Sequence, residues 1–255
     1  MKLKSIFKLN KAMRVVVPAI LLLLAPAVAH ADRKSFAYTY EYATLPEGQT
    51  EVELWHTQWR DTWDKSTAQH LEEKLEVEHG ITDNWDAAMY TIFTQVAGGG
   101  GEPGQAFGLD AISFETRYRF ADRGQWPVDT VAYLEVSKDF GKGIYELEGK
   151  AILARDFDRV TVAANLIGEV ALGHDVPDPE LALGWATGAT YEATPKVHLG
   201  AETWGTYEDS KLAASIGPAI GLAPSSKLWL VVNAGFGLGD PAPAFSGRIV
   251  MGLLL

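Results

Sequence analysis

After residue 48 the dominant hydrophobic period is two. Glu72, Lys74, Glu76 and Glu78 alternate with Leu71, Leu75, Val77 and His79. Ser113, Glu115, Arg117 and Arg119 alternate with Ile112, Phe114, Thr116, Tyr118 and Phe120, and Glu146, Glu148 and Lys150 with Tyr145, Leu147, Gly149 and Ala151. That period places one set of side chains on each face of a sheet and fits a helix badly. Breaks rich in Gly, Pro, Asp, Asn and Ser divide the pattern, because those residues tolerate tight turns. The division predicts strands at 50–62, 68–81, 85–96, 109–121, 128–139, 144–156, 159–172, 180–193, 197–207, 211–223, 227–239 and 245–255, twelve in all.

The breaks alternate in character. Thr82-Asp83-Asn84, Phe157-Asp158, Thr194-Pro195-Lys196 and Pro224-Ser225-Ser226 are short and follow even-numbered strands, with 122–127 a longer exception. The longer breaks 97–108 and 173–179 follow odd-numbered strands. Short turns on one side, longer loops on the other and an even strand count describe a bacterial outer-membrane barrel. The strands exceed the roughly 5–6 residues usual in soluble proteins and match a bilayer crossing. Aromatic residues recur near strand ends, among them Trp63, Trp85, Phe120, Trp126, Phe140, Phe157, Tyr191 and Tyr207, where interfacial girdles sit. The chain ends on Ile249, Met251, Leu253 and Leu255 along one face. The expected fold is therefore all-β, a transmembrane antiparallel up-and-down barrel over residues 49–255. Alternation by itself also suits a secreted β-sandwich.

Residues 1–31 differ from the rest. Lys2, Lys4, Lys8, Lys11 and Arg14 precede the uncharged run Val15 to Ala29, which leads into Ala29-His30-Ala31. This is the layout of a cleavable export signal; the run is broken by Pro18 and Pro26 and is shorter than the roughly 20 residues of a spanning helix. Cleavage after Ala31 leaves 17 Lys+Arg against 33 Asp+Glu. Such an acidic chain is no partner for nucleic acid, whose binding rests on cationic neutralisation of phosphates. The chain has no Cys, which removes disulfides, thiolate metal sites and Cys nucleophiles.

Thr44-Leu45-Pro46-Glu47-Gly48 leads into Glu51-Val52-Glu53-Leu54. His79-Gly80-Ile81-Thr82-Asp83-Asn84 at the first inward turn and the strand segment Tyr145-Glu146-Leu147-Glu148-Gly149-Lys150 add to this pattern. In these the sequence resembles a group of uncharacterised Gram-negative outer-membrane barrels related to the porin-like proteins of phenol-degradation operons. The resemblance implies a barrel and passive uptake, and brings no catalytic or ligand residues.

With the polar face inside, the lumen receives Glu72, Glu76, Glu78, Glu115, Glu135, Glu146, Glu148, Glu169 and Glu202, against Lys74, Arg117, Arg119, Lys150 and Arg248. One outcome is a narrow, cation-favouring channel for small cationic or neutral solutes. The other is a non-conducting barrel whose ion pairs close the lumen, since twelve strands fall between filled and open barrels. Residues 32–48, where Phe36, Tyr38, Tyr40 and Tyr42 alternate with smaller or polar residues, are expected to be extended. They lie in the periplasmic mouth or enter the lumen as a partial plug. Lipid and lipopolysaccharide of the outer membrane are the expected surroundings.

An outer-membrane lipid hydrolase is the third reading. It would need a nucleophile beside a base. The mature chain offers His56, His70, His79, His174 and His198, with no Gly-x-Ser-x-Gly setting. His174-Asp175 is the nearest pair and reads as a solvated loop. Asp175, Asp178 and Glu180 lack the spacing of a Ca²⁺ loop. Gly98 to Gly101 lack the Lys-Ser/Thr and helix of a phosphate cradle and read as a flexible loop. No enzyme activity, cofactor or metal is expected.

Overall fold

The structure is a computed structural model and describes residues 34–64, 68–99, 104–173, 181–208 and 210–255. The leader, His174, Asp175, Asp178, Glu180, Gly100 and Gly101 lie outside the described residues. Twelve strands follow one another: β1 (Thr50–Arg60), β2 (Gln69–Thr82), β3 (Trp85–Ala97), β4 (Gln105–Arg119), β5 (Asp129–Asp139) and β6 (Tyr145–Phe157). Then come β7 (Val160–Leu172), β8 (Leu181–Thr194), β9 (Val197–Glu208), β10 (Lys211–Leu222), β11 (Leu228–Gly237) and β12 (Phe245–Leu254). Each pairs with its neighbour in sequence, and β12 closes on β1, Trp55 opposite Val250.

Every strand end lies within two residues of its expected position except the start of β4, at Gln105 rather than 109. Ala111 pairs with Ile92 but Leu109 pairs with Phe93, so Asp110 is an extra residue in the ladder. A bulge of this kind lets the pairing resume beyond it, and Gln105–Gly108 become strand although their composition reads as loop.

Burial runs opposite to that of a soluble domain. Leu166 and Phe114 are 61% exposed, while Glu53 and Glu76 are fully buried. Leu134, Val136, Leu147, Leu183, Ile216 and Ile220 are likewise exposed on the outer wall. An apolar exterior around a polar interior is what a bilayer requires of a closed barrel, which also leaves no unpaired strand edge in lipid. Exposed aromatic side chains form two belts. Trp85, Tyr118, Phe120, Trp126, Phe157 and Tyr191 mark the rim that holds both chain ends of the barrel, and Phe107, Phe140, Tyr145, Tyr207 and Phe236 mark the opposite rim.

Residues 34–49 form no strand. They run inside the barrel, where Phe36 and Tyr42 pack with Val131, Tyr133 and Ile152 of β5 and β6, and Ala37 packs with Trp55, Trp229 and Val250 of β1, β11 and β12.

Candidate functional site

All fourteen expected lumen residues stand at inward positions. Lys74, Glu76, Glu78, Glu115, Arg117 and Glu202 are buried there, and Glu72, Arg119, Glu135, Glu146, Glu148, Lys150, Glu169 and Arg248 share those inward faces half-buried. The register adds an order that composition does not contain. Glu169 of β7 is opposite Glu148 of β6, Glu148 opposite Glu135 of β5, and Glu135 opposite Glu115 of β4. The same row continues through Ala88 of β3 to Glu78 of β2 and Glu51 of β1. Strands in a barrel tilt, so a row of cross-strand partners climbs the wall. This one rises from Glu51, beside the terminal rim, to Glu169, near the opposite rim. Directly opposed like charges cost about 0.2–1 kcal/mol per pair, so packing alone does not favour such a row.

Basic groups accompany it. Lys150 Nζ lies 2.7 Å from Glu148. Arg117 binds Glu78 and, at 2.8 Å, Asp86. Lys74 lies 2.8 Å from Glu76, and Lys34 lies 2.6 Å from Glu53. Glu51, Glu53 and Asp86 are interior carboxylates that sequence reasoning left out; their place on the inward, alternate set of β1 and β3 was the available signal.

Aromatic faces hold these cations. Lys74 Nζ sits 3.5 Å from the Tyr90 ring centre and 4.4 Å from that of Trp55. Lys150 Nζ sits 4.0 Å from Tyr133 and 4.3 Å from Tyr40. The Arg248 guanidinium lies 4.0 Å over Tyr38, whose other face stacks on Trp204 at 3.8 Å. A desolvated cation over a ring gains about 2 kcal/mol, so these bases are held against rings instead of reaching across the lumen.

The interior segment is bound through its backbone. Glu202 accepts the N–H groups of Ala37, Tyr38 and Thr39 at 2.9, 2.7 and 2.8 Å and the Asn233 amide at 3.0 Å. Asn165 accepts the Tyr40 N–H at 2.6 Å and donates to the Tyr40 carbonyl at 2.9 Å. Asp86 accepts the Leu45 N–H at 2.8 Å, and the Tyr42 hydroxyl donates to the Ala121 carbonyl. Side chains take the place of a ladder partner, which is why an alternating segment is bent rather than strand. Gly188 makes room: a Cβ there would lie 2.5 Å from the Phe36 ring. Burial alone would lower the Lys34 pKa, but the carboxylates of Glu53, Glu76 and Glu78 more than reverse this and hold it above the ordinary lysine value. Between the segment and the wall, Lys34, Glu41, Thr44, Glu51, Glu78 and Arg117 border a cavity of about 30 Å³, polar and roomy enough to hold water.

The histidines do not converge. His198 Nδ1 meets the buried Ser35 hydroxyl at 3.0 Å and joins the interior segment to β9. His79 meets Thr50 at 2.8 Å at the terminal rim, and His56 meets Glu73 at 2.7 Å on the outer wall. His70 lies 3.4 Å from Asp61. Among the described residues no group of three or more His, Asp or Glu is arranged to hold a metal ion.

Solved structures share this architecture. The COG4313 outer membrane channel from Pseudomonas putida F1 matches 90% of this chain over its whole length, with a TM-score of 0.67 and 13% identity. The fold is that of the porin-like outer-membrane barrels. The KdgM porin in complex with disordered oligogalacturonate matches 80% of the chain and 98% of its own, at TM-score 0.56 and 8% identity. The NanC porin matches 81% of the chain and 100% of its own, at 0.55 and 13%. At these identities the likeness is one of fold. No protein-family model matches the chain, and no curated protein sequence does.

Proposed function

We propose that this chain is a passive channel of the bacterial outer membrane, narrow and favouring small cations, with residues 34–48 as a partial plug. The rim carrying Thr50 and Leu254 then faces the periplasm. The observation that carries the reading is the row Glu169–Glu148–Glu135–Glu115–Glu78–Glu51, which climbs round the interior from β1 to β7. A charged lining selects the sign of the permeant ion, and low-dielectric walls strengthen its field. The similar folds, those of a channel and two porins, support transport. The oligogalacturonate named with KdgM is a polyanion; the acidic row here opposes that class.

A second reading, a non-conducting barrel, draws on the interior segment, which Glu202, Asn165 and Asp86 tie to three different strands. Reconstitution of the mature protein in a planar bilayer under a salt gradient separates the two. A current with a cation-selective reversal potential supports the channel. Zero current, restored on deletion of residues 32–43, assigns the protein to a gated or closed barrel. An anion-selective current ends the reading of the row.

A further inference from the structure

The outer wall is interrupted on β1 to β3. Glu51, Glu53, Trp55 and Thr57 are buried inside, so His56, Gln58 and Arg60 point outwards. Register puts Gln58 beside Leu71 and Leu71 beside Gln95; one step down, His56 stands beside Glu73. On the far wall the corresponding outward positions are Leu134, Val136, Leu147 and Leu183. A charged side chain on the lipid face of a barrel costs about 2–4 kcal/mol at mid-membrane and about 0–1 kcal/mol near the interface. A polar cluster that starts at the rim with Arg60 and reaches down to His56 and Glu73 suits a polar neighbour at head-group depth.

These side chains floor a cavity of about 700 Å³ on the outside of the barrel. Gly247, opposite Gln58, keeps the floor low: a Cβ there would touch Gln58 Nε2 at 3.6 Å. Trp63, in the connection after β1, lies against the outward Phe236 and Phe245 with ring centres 6.4 and 6.2 Å away and forms an apolar side. The charges are unequal. Glu73 is matched by His56 and Asp61 by His70, whereas Arg60 has no hydrogen-bond or ion-pair partner among the described residues. The groove thus offers one unmatched guanidinium, carboxamides from Gln58, Gln69 and Gln95, indole faces and an apolar edge. A guanidinium grips a phosphate with two parallel hydrogen bonds, and carboxamides pair with hydroxyl and amide groups. An anionic, hydroxyl- and amide-rich head with acyl chains would satisfy all three.

We propose that this groove binds lipopolysaccharide of the outer leaflet, its phosphorylated sugar head over Arg60, Gln58 and Gln95 beside the rim aromatics Trp63, Phe236 and Phe245, and its acyl chains further down the wall along the outward Ile249, Leu54 and Leu75. Depth favours a leaflet lipid over a free sugar. The polar floor runs from Arg60 at the rim to His56 four residues down the strand, about 10 Å of wall after tilt, with apolar side chains beside it. The inference rests on the outward face meeting lipid, as in the reading above, and requires no current through the lumen.

The test titrates the mature protein in detergent with doubly phosphorylated lipid A and reads bound lipid by native mass spectrometry. One molecule per barrel should bind saturably. Arg60→Leu should weaken binding about tenfold, the loss of a charge-assisted hydrogen bond, and the pair Gln58→Leu with Gln95→Leu should weaken it by a similar factor. These variants make the wall more apolar, and heat-modifiable gel mobility checks their folding. The unaltered protein should bind dephosphorylated lipid A and phosphatidylglycerol at least about tenfold more weakly, which keeps the proposal testable without any variant. Equal binding of all three lipids overturns it, as does unchanged affinity in folded variants. A dimer lost in Arg60→Leu would assign the face to a second copy and overturn it too. Reversal potential is measured on the same preparations: intact selectivity without lipid binding counts against the groove alone, and the converse counts against the channel alone.

Discussion

Glu135 of β5 and Glu148 of β6 are direct cross-strand partners with both carboxylates turned into the barrel. Neither the fold nor the membrane needs two like charges opposed there, so their effect should be seen in ion selectivity. Glu135→Gln combined with Glu148→Gln should move the reversal potential towards zero, most clearly at low salt, where charge fields are least screened. Stability should hold or rise by about 0.2–1 kcal/mol, as a like-charge pair is relieved. Unchanged selectivity in the double variant would remove the row from the permeation path.

Lys34 fixes the start of the interior segment through Glu53. Lys34→Met should leave Glu53 buried without its partner and cost about 3 kcal/mol, the lower end for a broken buried pair because Lys34 keeps 19% exposure. The expected readouts are protease cleavage near residue 34 and a rise in single-channel conductance. The pH response has a defined sign. A lysine pKa raised on folding contributes stability that is complete below the ordinary 10.5 and is lost only as pH climbs through the elevated value. Docking of the segment, followed by tryptophan fluorescence, should therefore persist to at least about pH 10.

Glu202 accepts three successive backbone N–H groups. Glu202→Leu should orphan these donors and the Asn233 amide at a cost of at least about 4 kcal/mol, taking about 1–3 kcal/mol for each of the four unsatisfied groups. The barrel, built from its own ladder, should keep its gel mobility and strand content while conductance rises. Equal conductance would show that the segment does not limit the current.

Gly188 separates packing from charge. Gly188→Val places side-chain atoms where the Phe36 ring lies and should cost about 1–3 kcal/mol through overpacking. Conductance should rise as it does for Lys34→Met but with unchanged cation preference, measured in the same bilayer assay.

The barrel was legible because the bilayer imposes a period of two over whole strands, and the segments Leu71–His79 and Ile112–Phe120 carry that period plainly. The start of β4 was not, since the bulge at Asp110 hides strand pairing behind residues that read as loop. Parity was enough to turn the fourteen expected acids and bases inward, but Glu51, Glu53 and Asp86 join them on the same parity and were left out. That Glu148 faces Glu135, or that Lys150 sits on the rings of Tyr133 and Tyr40, depends on how far each strand slides along its neighbour. The segment 34–48 showed strand-like alternation, yet Glu202 and Asn165 bind its backbone in place of a ladder.

The amino-acid order carries twelve strands and their two alternating faces, because each residue's hydrophobicity sorts it to one face or the other; strand length and turn pattern favour a barrel, and closure of β12 on β1 makes it one. Folding in three dimensions adds that the inward acids form one ascending row, that residues 34–48 dock inside the barrel, and that the outer wall carries a polar groove. Those outcomes depend on register and on contacts between distant strands, where a shift of two residues preserves every hydrophobic preference and changes every neighbour.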